Sequence, residues 1–373
     1  MFRAYCWLPF LLLTGGLAAG AAAAPQKEEQ PATQTSINGP TALALYNDRY
    51  LYVIEGEEDR VRRIDLTSGT ISTVAGTRIE DDCVHKDGIQ ATRACLDSPA
   101  SLAVDSLGNL FIGEIAGYVR KVDVSTGVIS TVAGDGQPGE TAEGAPALSA
   151  HFWAIDGLAM SANDDLFIAD DHQEKIFKLD AKTGLVSSVA GDGRQGFAGD
   201  GGLAVNASFR FFGSIALDKP GNLIIADHDN CRIRRIDRAT GIINTIAVTG
   251  ESNPDGSCKE GDLGPGPSPS DPATDSSGNI YFVEGAMDIV RRIDGGALTL
   301  STFVGNGAKG YGGDGGLAAR AQINNPSALA VDAEGNLFIA EYVNNRIRRV
   351  DARTKIITTV AGNGLPHRID VQM

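Results

Sequence analysis

A segment ending basic–apolar–aspartate recurs six times, closing at Asp65, Asp123, Asp180, Asp237, Asp294 and Asp351. The first interval is 58 residues and the other four are 57. Such a period constrains the fold more than any local motif, because repeated supersecondary units must bury their faces on one another. In the sixth unit the apolar pattern is strand-like: Ser327 to Asp332 (SALAVD), a turn at Glu334-Gly335-Asn336, then Leu337 to Glu341 (LFIAE). Arg346 to Asp351 (RIRRVD) and Ile356 to Gly362 (IITTVAG) follow. That gives four short strands per unit, with Gly-Asn or Thr-Gly at many of the hairpins. The first unit matches from Ile37-Asn38-Gly39-Pro40, against Ile323-Asn324-Asn325-Pro326.

Four-stranded units repeated radially make an all-β fold, a six-bladed β-propeller over residues 37–364. An open β-solenoid is the runner-up, and six units with long loops favour the closed disc. The first strands carry small residues (TALAL, SLAVD, GLAMS, SIALD, SALAVD), as a crowded axis requires. Blade 5 departs from this: Ser270 to Asp275 reads SDPATD, with Pro272 where blade 6 has Leu329. Proline removes a ladder donor, so that inner strand is expected to be weak or bent. The surplus length of each unit lies between its fourth strand and the next first strand, in Gly-rich crossings such as Gly191 to Phe211. The crossings share one face with the loops between second and third strands, which is where function is expected.

The ends and the cysteines place the chain. Arg3, the apolar run Trp7 to Leu17 and Ala21-Ala22-Ala23 read as an export signal over residues 1–23, too short to be a membrane span. Residues 24–36 are expected as a linker and 365–373 as a tail. Export implies a secreted or periplasmic protein, in which Cys83, Cys95, Cys231 and Cys258 remain once Cys6 is removed. An even count in an oxidising compartment reads as disulfides, with Cys83–Cys95 and Cys231–Cys258 favoured as the local pairs among three connectivities. No pair has the short spacing of a zinc site. The formal charge of −15 argues against nucleic acid and anionic lipid as partners.

The stretches GNLFIAEYVNNRIRRVD (335 to 351), GNLIIADHDNCRIRRID (221 to 237) and GNLFIGEIAGYVRKVD (108 to 123) resemble NHL-repeat units. The crossings GFAGDGGLAVNAS (196 to 208) and GYGGDGGLAARAQINNP (310 to 326) resemble those of secreted bacterial members. The resemblance covers nearly the whole chain after residue 23. It implies a six-bladed propeller that holds a protein, peptide or glycan, although some relatives bind RNA. Similar propellers also include amidating lyases, streptogramin lyases and gluconolactonase-type hydrolases, so fold alone leaves function open.

A residue present in every blade is most simply structural, since one site does not need six copies. Glu55, Glu114, Asp170, Asp227, Glu284 and Glu341 follow the second strands, and basic pairs such as Arg234-Arg235 and Arg348-Arg349 lie in the third strands. In blade 3 only Lys178 follows Phe177. These acids and bases are expected to pair in register. Alternatively, six acids converging on the channel could hold calcium. The GxGxxG matches at Gly134–Gly139, Gly191–Gly196 and Gly305–Gly310 open crossings and no helix follows them, so they read as turns rather than phosphate cradles. Asp192, Asp200, Asn306 and Asp314 in these loops could ligate calcium but form no EF-hand ladder. Asn206-Ala207-Ser208 is a glycosylation acceptor only in a eukaryotic source.

What remains after this subtraction clusters in blades 3 and 4. Trp153 and Arg210 replace the Asn or Asp of other blades, and Phe211 and Phe212 replace Asn325 and Pro326. Asp171-His172 and His228-Asp229 occupy neighbouring positions after the second strands. Phe152 and Phe209 are expected only to fill the slot of Leu96 and Ile323. The reading is an exported, monomeric binding module using Trp153, Arg210, Phe211, Asp171, His172, His228 and Asp229, with no cofactor. The alternative is a lyase or lactone hydrolase at the channel mouth, using His151, His172 and His228 with calcium or another divalent metal.

Overall fold

The computed structural model describes residues 29–77, 86–251, 253 and 268–365. It is an all-β, six-bladed propeller, with no α-helix among the described residues. Each blade is an antiparallel meander. In blade 6 the strands are Pro326–Val331, Leu337–Glu341, Arg346–Val350 and Ile357–Ala361, paired in that order from axis to rim. The six first strands line the axis, and Pro40–Tyr46 of blade 1 meets Pro326–Val331 of blade 6. Buried side chains form one cluster per blade interface. Ile168 and Phe177 of blade 3, for example, pack with Phe111 and Val119 of blade 2.

Closure repeats the internal joints. Gly76, Gly134, Gly191 and Gly305, each just after a fourth strand, donate an amide to Ala91, Ala147, Ala204 and Ala318 of the following crossing. Gly362 donates in the same way to the Ala32 carbonyl, at 3.0 Å. Residues expected as a linker therefore occupy the place of a crossing. Gln30–Pro31 pairs with the outer strand of blade 1, as Ile89–Gln90 and Ala145–Pro146 do for blades 2 and 3. Each blade keeps four consecutive strands of its own, and none is exchanged across the seam.

The blade 5 inner strand, Ser270–Thr274, forms but is bent. Its register slips between Ser270 and Ala273, and Asp271 takes a left-handed conformation at φ +44°. Cys95 and Cys231 are buried, while their expected partners Cys83 and Cys258 lie outside the described residues, as do the export signal and most of the tail. Among the described residues no helix is long and apolar enough to cross a membrane.

Candidate functional site

The repeated acids are all buried, and most blades show what they hold. Arg348 Nη1 lies 3.3 Å from Glu341, Arg234 Nη1 3.3 Å from Asp227, and Arg120 Nη1 3.7 Å from Glu114. Arg62 and Arg291 reach Glu55 and Glu284 in the same register. The fully buried Arg348 also donates to the carbonyls of Gln322 and Gly312 and to Asp314, tying the crossing to the blade beneath it. Arg234 does the same with Ser208, Ala198 and Asp200. Two of the acids considered for calcium, Asp200 and Asp314, are thus engaged with arginine and with the amides of Thr245 and Thr359. Asp192 and Asn306 cap turns at Arg194 and Ala308. Burial pushes Glu114 up to about 8, Glu341 to about 7 and Asp227 to about 6, against the pull of the paired guanidiniums.

Blade 3 breaks this register. Phe177 stands at the arginine position and packs edge-on against Phe152, at 5.6 Å between ring centres. Asp170 is satisfied by neutral donors instead: the Trp153 amide at 2.8 Å, the Gln173 amide at 3.1 Å and Gln173 Nε2 at 2.6 Å. Burial raises its pKa. Among the described residues no lysine or arginine forms an ion pair with Asp156, Asp170, Asp171 or Glu174. Burial, followed by the charge of Asp171 and a hydrogen bond with it, pushes Asp156 up to about 8. Asp156 Oδ2 is shielded from solvent and has no hydrogen-bond partner. Burial likewise carries Glu174 to about 8, opposed by its bond from the Phe211 amide.

The strand order puts every residue singled out in blades 3 and 4 on the crossing face. Asp171 and His172 follow the second strand of blade 3, and His228 and Asp229 follow that of blade 4. Trp153 and Phe211 precede first strands and are 51% and 39% exposed, whereas Phe152, Phe209 and Phe212 are buried. Their backbones are fixed by acids: Trp153 by Asp170, Arg210 by Asp227, and Phe211, left-handed at φ +45°, by Glu174 of the preceding blade.

The histidines form three separate couples rather than one centre. His151 Nδ1 lies 3.1 Å from Asp135, His172 Nδ1 2.5 Å from Asp171, and His228 Nδ1 2.8 Å from Asp229. Only His172 joins a wider group. Ligand atoms of Asp156, Asp171 and His172 lie within 4.8 Å of one another, the one such group of three among the described residues. Two carboxylates and an imidazole are a donor set that a divalent cation accepts.

Asp156 and Asp271 belong to no motif of the repeat. They line a small axial cavity of about 70 Å³, together with Ser101, Ser214 and the leucines of the first strands. Burial pushes Asp271 up to about 7, opposed by a bond from Ser214. The available signal was an acid in an inner strand whose counterparts are Thr41, Ala100, Gly213, Ser270 and Ser327 for Asp156, and Ala328 for Asp271. A larger cavity, about 910 Å³, opens at the opposite face, lined by Asn163 and Lys178 of blade 3, Lys219 of blade 4, Asp275 of blade 5 and Asp332 of blade 6; none of the residues proposed for ligand binding or catalysis lines it.

No family model matches the chain. NHL repeat-containing protein 2 of Homo sapiens is 25% identical over 257 residues, 61% of this chain and 35% of that protein. Its Gallus gallus counterpart is 24% identical over 356 residues, 87% of this chain and 40% of its own length. The chain thus spans less than half the length of these relatives. Among solved structures, an auxiliary nutrient binding protein from Bacteroides thetaiotaomicron superposes with a TM-score of 0.59 at 17% identity, over 87% of this chain and 70% of that one. A streptogramin B lyase gives a TM-score of 0.52 at 16% identity, over 89% and 85%. Identity this low speaks for the fold alone. Six radial four-stranded blades define a β-propeller. Its sequence is similar to NHL repeat-containing proteins, whose repeats fit the six blades seen here.

Proposed function

We propose that the chain is an exported binding propeller that engages a protein, peptide or glycan through the crossing face of blades 3 and 4. The observation that carries this reading is the exposure of Trp153 and Phe211 at positions where other blades place small or polar residues. Bulky aromatics held half in water by buried hydrogen bonds are the composition of an interface anchor. Arg210, Asp171, His172, His228 and Asp229 supply polar contacts around them. The two local disulfides, Cys83–Cys95 and Cys231–Cys258, belong to the same reading, since an exported propeller with long crossings gains from tying them. The test is retention of ligands from peptide and glycan arrays by the full chain, compared with a Trp153→Ala/Arg210→Ala variant of equal melting temperature. The expected result is loss of the retained set in the variant, and unchanged retention would sink this site.

A second reading rests on Asp156, Asp171 and His172. A divalent cation held by these three residues would supply Lewis acidity for a lyase or lactone hydrolase. Metal analysis of the purified protein, before and after Asp171→Asn, separates the two readings.

A further inference from the structure

Resting on the binding reading, we infer that the partner reaches this face with a cationic side chain flanked by apolar residues, a basic and apolar segment of another protein. Blade 3 omits the one component that its sister blades share. Where they place Arg62, Arg120, Arg234, Arg291 and Arg348 beside a buried acid, blade 3 has Phe177. The omission leaves Asp170, Asp171, Asp156 and Glu174 together, with no lysine or arginine paired to them among the described residues. Carboxyl oxygens of Asp156 and Asp171 lie within 4.8 Å of each other, and Asp156 Oδ2 has no hydrogen-bond partner. Two carboxyls this close are a poor arrangement unless a positive charge joins them.

The rim supplies the other half of the recognition. Trp153 and Phe211 stand exposed at the ends of their crossings, and Ile115, Met287 and Val343 are exposed in second-to-third-strand loops of the same face. A lysine or arginine has an aliphatic stem that an apolar rim can cover while its head meets the acids. An exposed tryptophan face adds cation–π attraction. A neutral apolar segment would leave the acids unmet, and an acidic segment would be repelled by them. Charge complementarity therefore selects the basic segment.

The test uses the full chain and three capped, dye-labelled peptides, Gly-Leu-X-Leu-Gly, in which X is lysine, acetyl-lysine or glutamate. Fluorescence polarisation should show the lysine peptide binding about tenfold more tightly than the acetyl-lysine peptide, as a charge-assisted contact requires, with the glutamate peptide weakest. The preference should collapse in Asp171→Asn and at about 0.5 M salt, while Trp153→Ala weakens both the lysine and acetyl-lysine peptides. The lysine against acetyl-lysine comparison needs no variant, so it stands even if Asp171→Asn folds poorly. Equal binding of these two peptides, both weakened by Trp153→Ala, would overturn the cationic inference and leave the binding face standing. Absence of any peptide binding would overturn both. Tight binding of manganese alone, displacing the lysine peptide, would assign the acids to a metal and overturn the inference as well.

Discussion

A carboxyl removed from water keeps its proton until the surroundings make the charge tolerable, and Asp156 is the clearest instance here. Its folded pKa near 8 comes first from burial and then from the neighbouring Asp171 charge. The unfolded chain ionises near the ordinary aspartate value of 3.8. Between those values the folded state holds a proton that the unfolded state has lost, so stability falls as pH rises from about 4 to about 8, and then levels. Asp156→Asn removes this burden and keeps the shape. Urea denaturation at pH 6 and pH 9 should show the variant gaining on its parent by about 2–3 kcal/mol more at the higher pH. An identical gain at both pH values would mean that Asp156 is already ionised in the folded state. At this scale the sequence is only partly legible. Trp153 and Phe211 stand out because they break a repeat. Asp156 breaks it too, but its raised pKa is not legible there, because desolvation and the approach of Asp171 arise only when the chain is folded. The three histidines, adjacent in blade order, each turn to a different aspartate, a direction that no spacing encodes.

At the scale of the blade, the recurring acid and arginine act as a rivet between second strand, third strand and crossing. Both Glu341 and Arg348 are wholly buried, and Arg348 also holds Asp314, so removing the guanidinium leaves two carboxyls without their cation. Arg348→Met should cost about 3–5 kcal/mol, whereas Arg348→Met combined with Glu341→Leu should recover a large part of that loss. A thermal-melt cycle of the two single variants and the double measures this directly, and additive losses would show that the pair is not coupled. Blade 3 shows that such a replacement is tolerated. Phe177 takes the arginine site, Phe152 packs against it, and Gln173 with two backbone amides satisfies Asp170. This level was the most legible, since acids and bases in register in five of the six blades predict their own pairing. The bridge from Arg234 to Asp200 was not, because it joins residues 34 positions apart through a crossing whose path the repeat alone does not specify.

For the whole molecule the deciding question is how a ring made of six consecutive units seals its seam. The answer lies in the segment before the first unit, which repeats the joints found inside the ring. Gly362 donates to Ala32 and Asn363 donates to the Thr35 carbonyl, as Asp135, Asp192 and Asn306 donate to Ala150, Ala207 and Ala321. Asn363 Nδ2 adds a bond to the Gln34 carbonyl at 3.1 Å, and Asn345 Oδ1 accepts from Gly39 at 2.9 Å. Ala32, fully buried, packs in the cluster shared by blades 6 and 1. Read from the sequence the repeat begins at Ile37, yet Ala32-Thr33 already aligns with Ala91-Thr92, a match too short to stand out until the hydrogen bonds from Gly362 and Gly76 give it meaning. A chain beginning at residue 37 therefore loses three of these bonds and the Ala32 contact, while one beginning at residue 29 keeps them all. At about 1 kcal/mol for each bond, the shorter chain should be less stable by about 3 kcal/mol and melt roughly 4 °C lower. Differential scanning calorimetry of the two chains decides the matter. If they melt within about 1 °C of each other, the seam is held by the Asn345–Gly39 bond and the packing of inner strands, and residues 29–36 are a covering rather than a clasp.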